Sequence, residues 1–167
     1  MENGNWRMET GKWKMETGKS KTEGESSNKG KIVSIAAAAK QVRDFKDLEV
    51  WQTARQLRRE MYGVAKSLPD VEKFGLASQI RRAAVSVTAN IAEGYGRFGY
   101  QENAQMCRQA RGSLYELRDH LTTCVDEGYL GIADAKRLDA LIQSVTRLLN
   151  GYLRSTLARK QQTESGK

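Results

Sequence analysis

GLASQIRRAAVSVTANIAEGYGR, from Gly75 to Arg97, is the stretch on which the fold turns. Within it Leu76, Ile80, Ala83, Val87 and Ile91 recur three or four residues apart, the spacing of one helix face. The small residues Ala77, Ala84, Ser86 and Ala89 lie between them, so neighbours are expected to approach this helix closely on more than one side. The helix is expected from about Glu72 to Glu93, with Gly94 as the residue just past its end, because glycine accepts positive φ at no steric cost. Gly94-Tyr95-Gly96 resembles a phosphate loop only superficially: no strand precedes it and no GK[ST] follows. It reads as a helix-to-helix turn.

Working outward, three more segments carry the same period. A first helix is expected from about Leu48 to Lys66, with Asp47 as N-cap and Pro69 as terminator. Leu48, Trp51, Leu57, Met61, Val64 and Leu68 form its apolar stripe, broken only around Ala54, while Arg55, Arg59 and Lys66 share another face. A third helix is expected from about Gln101 to Glu127, ending at Gly128, with Met106, Cys107, Ala110, Leu114, Leu117, Leu121, Cys124 and Val125 inward. Gly112 falls in its middle at a cost of about 1 kcal/mol relative to alanine, which suggests close contact with another helix or a ligand backbone. The fourth helix is expected from about Ala133 to Leu157, burying Leu138, Leu141, Val145, Leu148, Leu149 and Tyr152. No segment sustains a strand's alternation. The expected fold is all-α, an antiparallel up-down four-helix bundle over residues 44–160, followed by a disordered tail at 161–167.

Before the bundle, residues 1–43 are expected to be a disordered basic extension. WRMETGK from Trp6 repeats as WKMETGK from Trp13, but each copy carries a glycine, a threonine and several charges, too few apolar positions for a coiled coil. Trp6 and Trp13 among Arg7, Lys12, Lys14 and Lys19 are able to stack on bases, but the preferred reading is a low-complexity extension, with Met8 or Met15 as a later start. Ile32 to Arg43, with its alanine run, is helical by propensity but offers little apolar surface to dock.

Composition narrows the chemistry. The 167 residues hold 28 Lys+Arg against 20 Asp+Glu, a net charge of +8 that attracts polyanions. Residues 1–43 contain nine bases and five acids and residues 44–167 contain 19 and 15, so each part carries +4. A solvated surface is the plain reading of this charge, and a nucleic-acid interface the sharper one. Cys107 and Cys124, seventeen residues apart on one helix, stand about 25 Å from each other and do not form a disulfide, which fits a reducing compartment. With no apolar start and no segment of about 20 apolar residues, a cytoplasmic protein without membrane partners is expected.

His120 is the one histidine, and no nucleophile pattern surrounds it, so no catalytic residue and no enzymatic activity are expected. Two distant cysteines, one histidine and no Glu-x-x-His spacing make neither a metal site nor a cofactor site expected. What remains is basic. Arg81 and Arg82 on the second helix, Arg97 after it, and Arg108 and Arg111 on the third form a candidate phosphate-binding patch, with Tyr95, Phe98 or Tyr100 to stack on a base. Pairing with Glu93, Glu102 or Glu116 would neutralise that patch. On the fourth helix Lys136, Arg147 and Arg154 share a face and extend the nucleic-acid-binding set.

DFKDLEVWQTA (Asp44 to Ala54), the Gly75 to Arg97 stretch and ARGSLYEL (Ala110 to Leu117), in that order, resemble the four-helix-bundle proteins encoded in intervening sequences of bacterial 23S rRNA genes. The resemblance covers Asp44 to about Arg159. It implies a ring-like homopentamer and a kinship with the accessory variability proteins of diversity-generating retroelements, which bind nucleic acid and a reverse transcriptase. Arg81, Arg82, Asn90, Glu93, Gly94, Arg97, Gly112 and Ser113 occupy motif positions. By this reading Asn90 and Glu93 cap a neighbouring helix or fix the loop, and Gly112 with Ser113 allows tight packing. Thr88 departs from the family, which often has proline there. Two functions follow as expectations: an oligomeric accessory factor that binds RNA, beside a reverse transcriptase or on structured rRNA, or a protein-interaction scaffold that touches no nucleic acid.

Overall fold

The computed structural model describes residues 6–9, 12–15, 42–97 and 99–165, with side chains from residue 42 onward except 163 and 164. The chain divides into two units, Met1–Gln41 and Val42–Lys167. In the first, Trp6–Glu9 (β1) and Lys12–Met15 (β2) pair as an antiparallel ribbon, with Trp6 opposite Met15 and Met8 opposite Trp13. Those residues were expected to be disordered. The two repeat copies instead pair because W-R-M-E and K-W-K-M alternate apolar and charged residues, the period of a strand rather than of a helix. The rest of the expected disordered extension up to residue 41, and the Ile32 to Arg43 helix apart from its last two residues, lies outside the described residues.

The second unit is a bundle of Glu49–Ser67 (α1), Leu76–Gly96 (α2), Tyr100–Asp126 (α3) and Ile132–Ser165 (α4). Each helix packs on its neighbours in the order α1, α2, α3, α4 and back to α1, and no diagonal pair brings Cα atoms within 8 Å among the described residues. That is the up-down arrangement that short connections between consecutive helices produce. Leu57, Met61, Ile80, Ile91, Leu114, Leu117, Leu138, Ile142 and Leu149 are fully buried along its axis. Ala54, which interrupts the α1 stripe in sequence, is buried as well, so the gap is a small residue at a close approach.

Several helix ends differ from expectation. Asp47 does not cap α1. Its Oδ2 accepts from the backbone N–H groups of Arg43 and Asp44, while Asp44 Oδ1 accepts from Lys46 N, a reciprocal box around a 3-10 turn at Phe45–Asp47. Glu72 does not begin α2 but caps it: a 3-10 turn occupies Asp70–Glu72, and Glu72 Oε2 accepts from Leu76 N at 2.9 Å. At the end of α3 the expectation holds. Gly128 has φ 70°, Tyr129 N donates to Cys124 O at 2.8 Å and Gly128 N to Val125 O at 3.0 Å, a Schellman closure. The expected tail from 161 is helical as far as Ser165, since no proline or glycine intervenes after Gly151.

Neither Gly94 nor Gly112 plays the role read for it from sequence. Gly94 lies inside α2, buried, where an added Cβ would stand 3.0 Å from Met106 Cβ and 3.3 Å from Asn103 O. It permits the close approach of α3 and does not end α2. Gly112 is exposed, and nothing lies within 4 Å of a Cβ there, so among the described residues it packs against no other helix.

Candidate nucleic-acid interface

The Arg81 and Arg82 side chains leave adjacent positions on α2 about 100° apart, and their surroundings differ accordingly. Half-buried Arg81 donates to Lys73 O at 3.2 Å and Ala65 O at 3.4 Å, tying down the α1–α2 connection. It serves orphan carbonyls and is withdrawn from the expected patch. Arg82 is 72% exposed and stands 3.6 Å from Glu116 of α3, a loose surface pair. Arg97 donates to Glu93 one turn back, and this carboxylate holds the guanidinium pKa above its ordinary value. Glu93 is thus engaged by the residue that follows α2.

Asn90 caps no neighbouring helix. Its Nδ2 donates to Ser86 Oγ at 3.0 Å, and Ser113 Oγ donates to the same oxygen at 2.8 Å, so the three residues bridge α2 and α3. Buried Thr88 accepts from Arg58 and donates to Val85 O, which occupies its polar group within an unbroken helix. Tyr95 packs on the core, Tyr100 opens α3, and Phe98 lies outside the described residues. His120 Nε2 is buried without a hydrogen-bond partner, 3.7 Å from Glu116 Oε1. Among the described residues no cluster of metal-ligating side chains occurs, and no helix is long and apolar enough to cross a membrane.

Arg108 and Arg111 are different: both are exposed, and no hydrogen bond or ion pair engages either among the described residues. Two contacts set their level against α4, Arg118 with Asp139 and Asn103 with Tyr152. Along antiparallel helices rising about 1.5 Å per residue, these place Arg108 about level with Arg147. Arg147 and Arg154 are exposed on the outer face of α4, Arg147 Nη2 donating only to Ser144 Oγ at 2.8 Å. Lys136 shares that face but sits further along, beside Asp139 in a groove at the other end of α3 and α4.

The stretches of α3 and α4 that carry these arginines contain no acid. From Asn103 to Tyr115 on α3, and from Ala140 to Thr163 on α4, neither Asp nor Glu occurs. Within these stretches no carboxylate of the same helix offsets the positive charge. Tyr115, 56% exposed, belongs to the same face of α3, seven residues from Arg108 and four from Arg111, with the Arg118 guanidinium 5.7 Å from its ring centre. Sequence reasoning passed it over, although that spacing is visible in the sequence. An exposed ring among cations provides a flat surface for a base.

A family model described as 23S rRNA-intervening sequence protein matches residues 46–151, which run from the turn before α1 well into α4. The chain belongs to that family. Among solved structures, this family member is similar to a protein of unknown function from the S23 ribosomal protein family of Bacteroides thetaiotaomicron VPI-5482. The TM-score is 0.58 at 18% identity, over 62% of this chain and 97% of that one, a likeness of fold. No curated protein matches the sequence.

Proposed function

We propose that this chain is a non-enzymatic accessory protein that binds RNA through the outer face of α3 and α4 and acts as a homo-oligomer. The observation that carries the reading is the pair of acid-free stretches of α3 and α4 on which Arg108 and Arg111 stand unpaired among the described residues, level with Arg147 and followed by Arg154. Phosphates supply the charge these guanidiniums lack, and Tyr115 supplies a stacking surface for an unpaired base. Arg82 and Arg97 contribute at the margin, since each shares its charge with a carboxylate. The family's link to intervening sequences of 23S rRNA supports structured rRNA as the ligand. Its resemblance to retroelement accessory proteins adds a reverse transcriptase ribonucleoprotein as a setting and a homopentamer as the assembly.

The test is direct titration of a structured RNA with the full chain. Arg108→Ala with Arg111→Ala lowers affinity roughly tenfold, while Arg81→Ala, whose side chain is spent on carbonyls, leaves it within about twofold. Equal effects of the two changes overturn the assignment. A scaffold without nucleic-acid contact is the second reading, favoured by the exposed Val71, Phe74 and Ile132. Partners that persist in affinity purification after nuclease digestion support it, and partners that vanish support RNA.

A further inference from the structure

Gly63 of α1, Gly112 of α3 and Gly151 of α4 lie inside their helices with nothing within 4 Å of an added Cβ. Each weakens its helix relative to alanine, and the close helix approach that explains Gly94 explains none of them among the described residues.

Two of these glycines have like neighbours. Arg108 lies one turn before Gly112 and Tyr115 three residues after it, while Arg147 lies one turn before Gly151 and Arg154 three residues after it. At 100° per residue these flanking side chains fall within about 60° of their glycine, and all four are exposed. Each glycine is therefore a gap one side chain wide, fenced along the helix by guanidiniums or a flat ring. Both gaps lie in the acid-free stretches 103–115 and 140–163, and Glu116, just beyond the first, stands 3.6 Å from Arg82 of α2. The α1 gap differs. Arg59 and Lys66 flank Gly63 at the same spacing, but Glu60 lies between them and meets Arg137 of α4.

Because α3 and α4 run antiparallel with Arg108 about level with Arg147, Gly112 and Gly151 lie to opposite sides of that level. Four residues each way at about 1.5 Å per residue separate the two gaps by about 12 Å along the bundle. A line between them passes Arg108 and Arg147. We propose that an unpaired RNA segment follows this line, its sugar-phosphate backbone against the helices at Gly112 and Gly151, with phosphates on Arg108, Arg147 and Arg154 and a base on Tyr115. The inference rests on the RNA reading above, and narrows it to a single-stranded ligand and to its points of closest contact. A single strand enters a gap of one side chain, and cations with an exposed ring suit its phosphates and bases. A duplex is broader and rests on the flanking side chains without reaching the helix backbone.

The measurement is fluorescence anisotropy of the full chain with a labelled single-stranded RNA of about twelve nucleotides and with the duplex of the same sequence. Wild type binds the single strand about tenfold tighter than the duplex, the worth of one stacked base. A side chain forced into a close contact weakens it roughly five- to a hundredfold, so Gly112→Ala loses about fivefold and Gly112→Leu or Gly151→Leu about thirtyfold. Gly63→Leu stays within about twofold. All four variants keep the helical circular dichroism of the wild type, and Gly112→Ala unfolds at higher urea than wild type, so a weaker complex with a firmer fold separates lost contact from damage. Gly112→Leu with wild-type affinity for the single strand overturns the inference, as does a duplex bound as tightly as the single strand. If Arg108→Ala with Arg111→Ala still weakens binding, the RNA reading survives either result. Gly112→Leu with unchanged affinity and a lower mass by light scattering assigns the gap to a contact between copies and overturns the inference too. A wild type that binds neither probe overturns the RNA reading and this inference together.

Discussion

Replacing Gly94 and Gly112 by alanine, one at a time, should move stability in opposite directions. At Gly94 the new Cβ meets Met106 Cβ at 3.0 Å, Asn103 Oδ1 at 3.1 Å and Asn103 O at 3.3 Å. Asn103 cannot give way freely, because it donates to Tyr152 Oη at 2.9 Å and accepts from Cys107 Sγ. Overpacking of this kind costs about 1–3 kcal/mol and outweighs the gain of up to about 1 kcal/mol from alanine's helix propensity. Gly112→Ala meets nothing within 4 Å and keeps only that gain, about 0.5–1 kcal/mol of added stability. The two variants therefore differ by about 2 kcal/mol. With a urea slope of about 1–3 kcal/mol per molar, their unfolding midpoints separate by roughly 1 M. The comparison is made at one protomer concentration, since assembly shifts apparent stability. If Gly94→Ala proves as stable as Gly112→Ala, α2 and α3 do not approach as closely as described.

Three further outcomes are expected. Gly128→Ala, at φ 70°, destabilises the chain by about 1–2 kcal/mol in the same urea assay, because a side chain there strains the Schellman closure. Arg81→Ala costs about 1 kcal/mol of stability by orphaning Ala65 O and Lys73 O. Burial pushes the Cys107 thiol from its ordinary value of 9.0 up to about 11, so the folded chain holds that proton more tightly than the unfolded one. Its contribution to stability is complete below about 9 and is lost as pH rises through about 11, which a pH series of melts on wild type and Cys107→Ala reads out. Burial likewise raises the Cys124 pKa, so neither thiol reacts with alkylating reagents at neutral pH until the chain unfolds.

The bundle was legible because apolar residues recurring at three and four positions leave one fold open to four consecutive helices. Ile80, Ala83, Val87 and Ile91 mark the buried face of α2 in the sequence as they do in space, with Leu76 half-buried against it. The glycines were not legible in the same way. A glycine relieves strain at a helix end and also admits a close neighbour, and the sequence around Gly94 does not distinguish these uses; the packing of Asn103 and Met106 does. Within the basic patch, adjacency misled: Arg81 and Arg82 are consecutive, yet one helical step turns the first to backbone carbonyls and leaves the second in water. Arg97 went to Glu93, a partner visible four residues away. That the acid-free stretches around Arg108 and Arg147 lie level emerges only when two distant segments are set side by side, which requires the register between α3 and α4.

The salt dependence of RNA affinity tests the central claim most directly. Each cation that displaces a counterion contributes about 0.7–0.9 to the slope of log affinity against log salt concentration. Arg108→Ala with Arg111→Ala should therefore flatten the wild-type slope by about 1.4–1.8 while Arg81→Ala leaves it unchanged. A wild-type affinity indifferent to salt, or a double variant with the wild-type slope, would contradict the account.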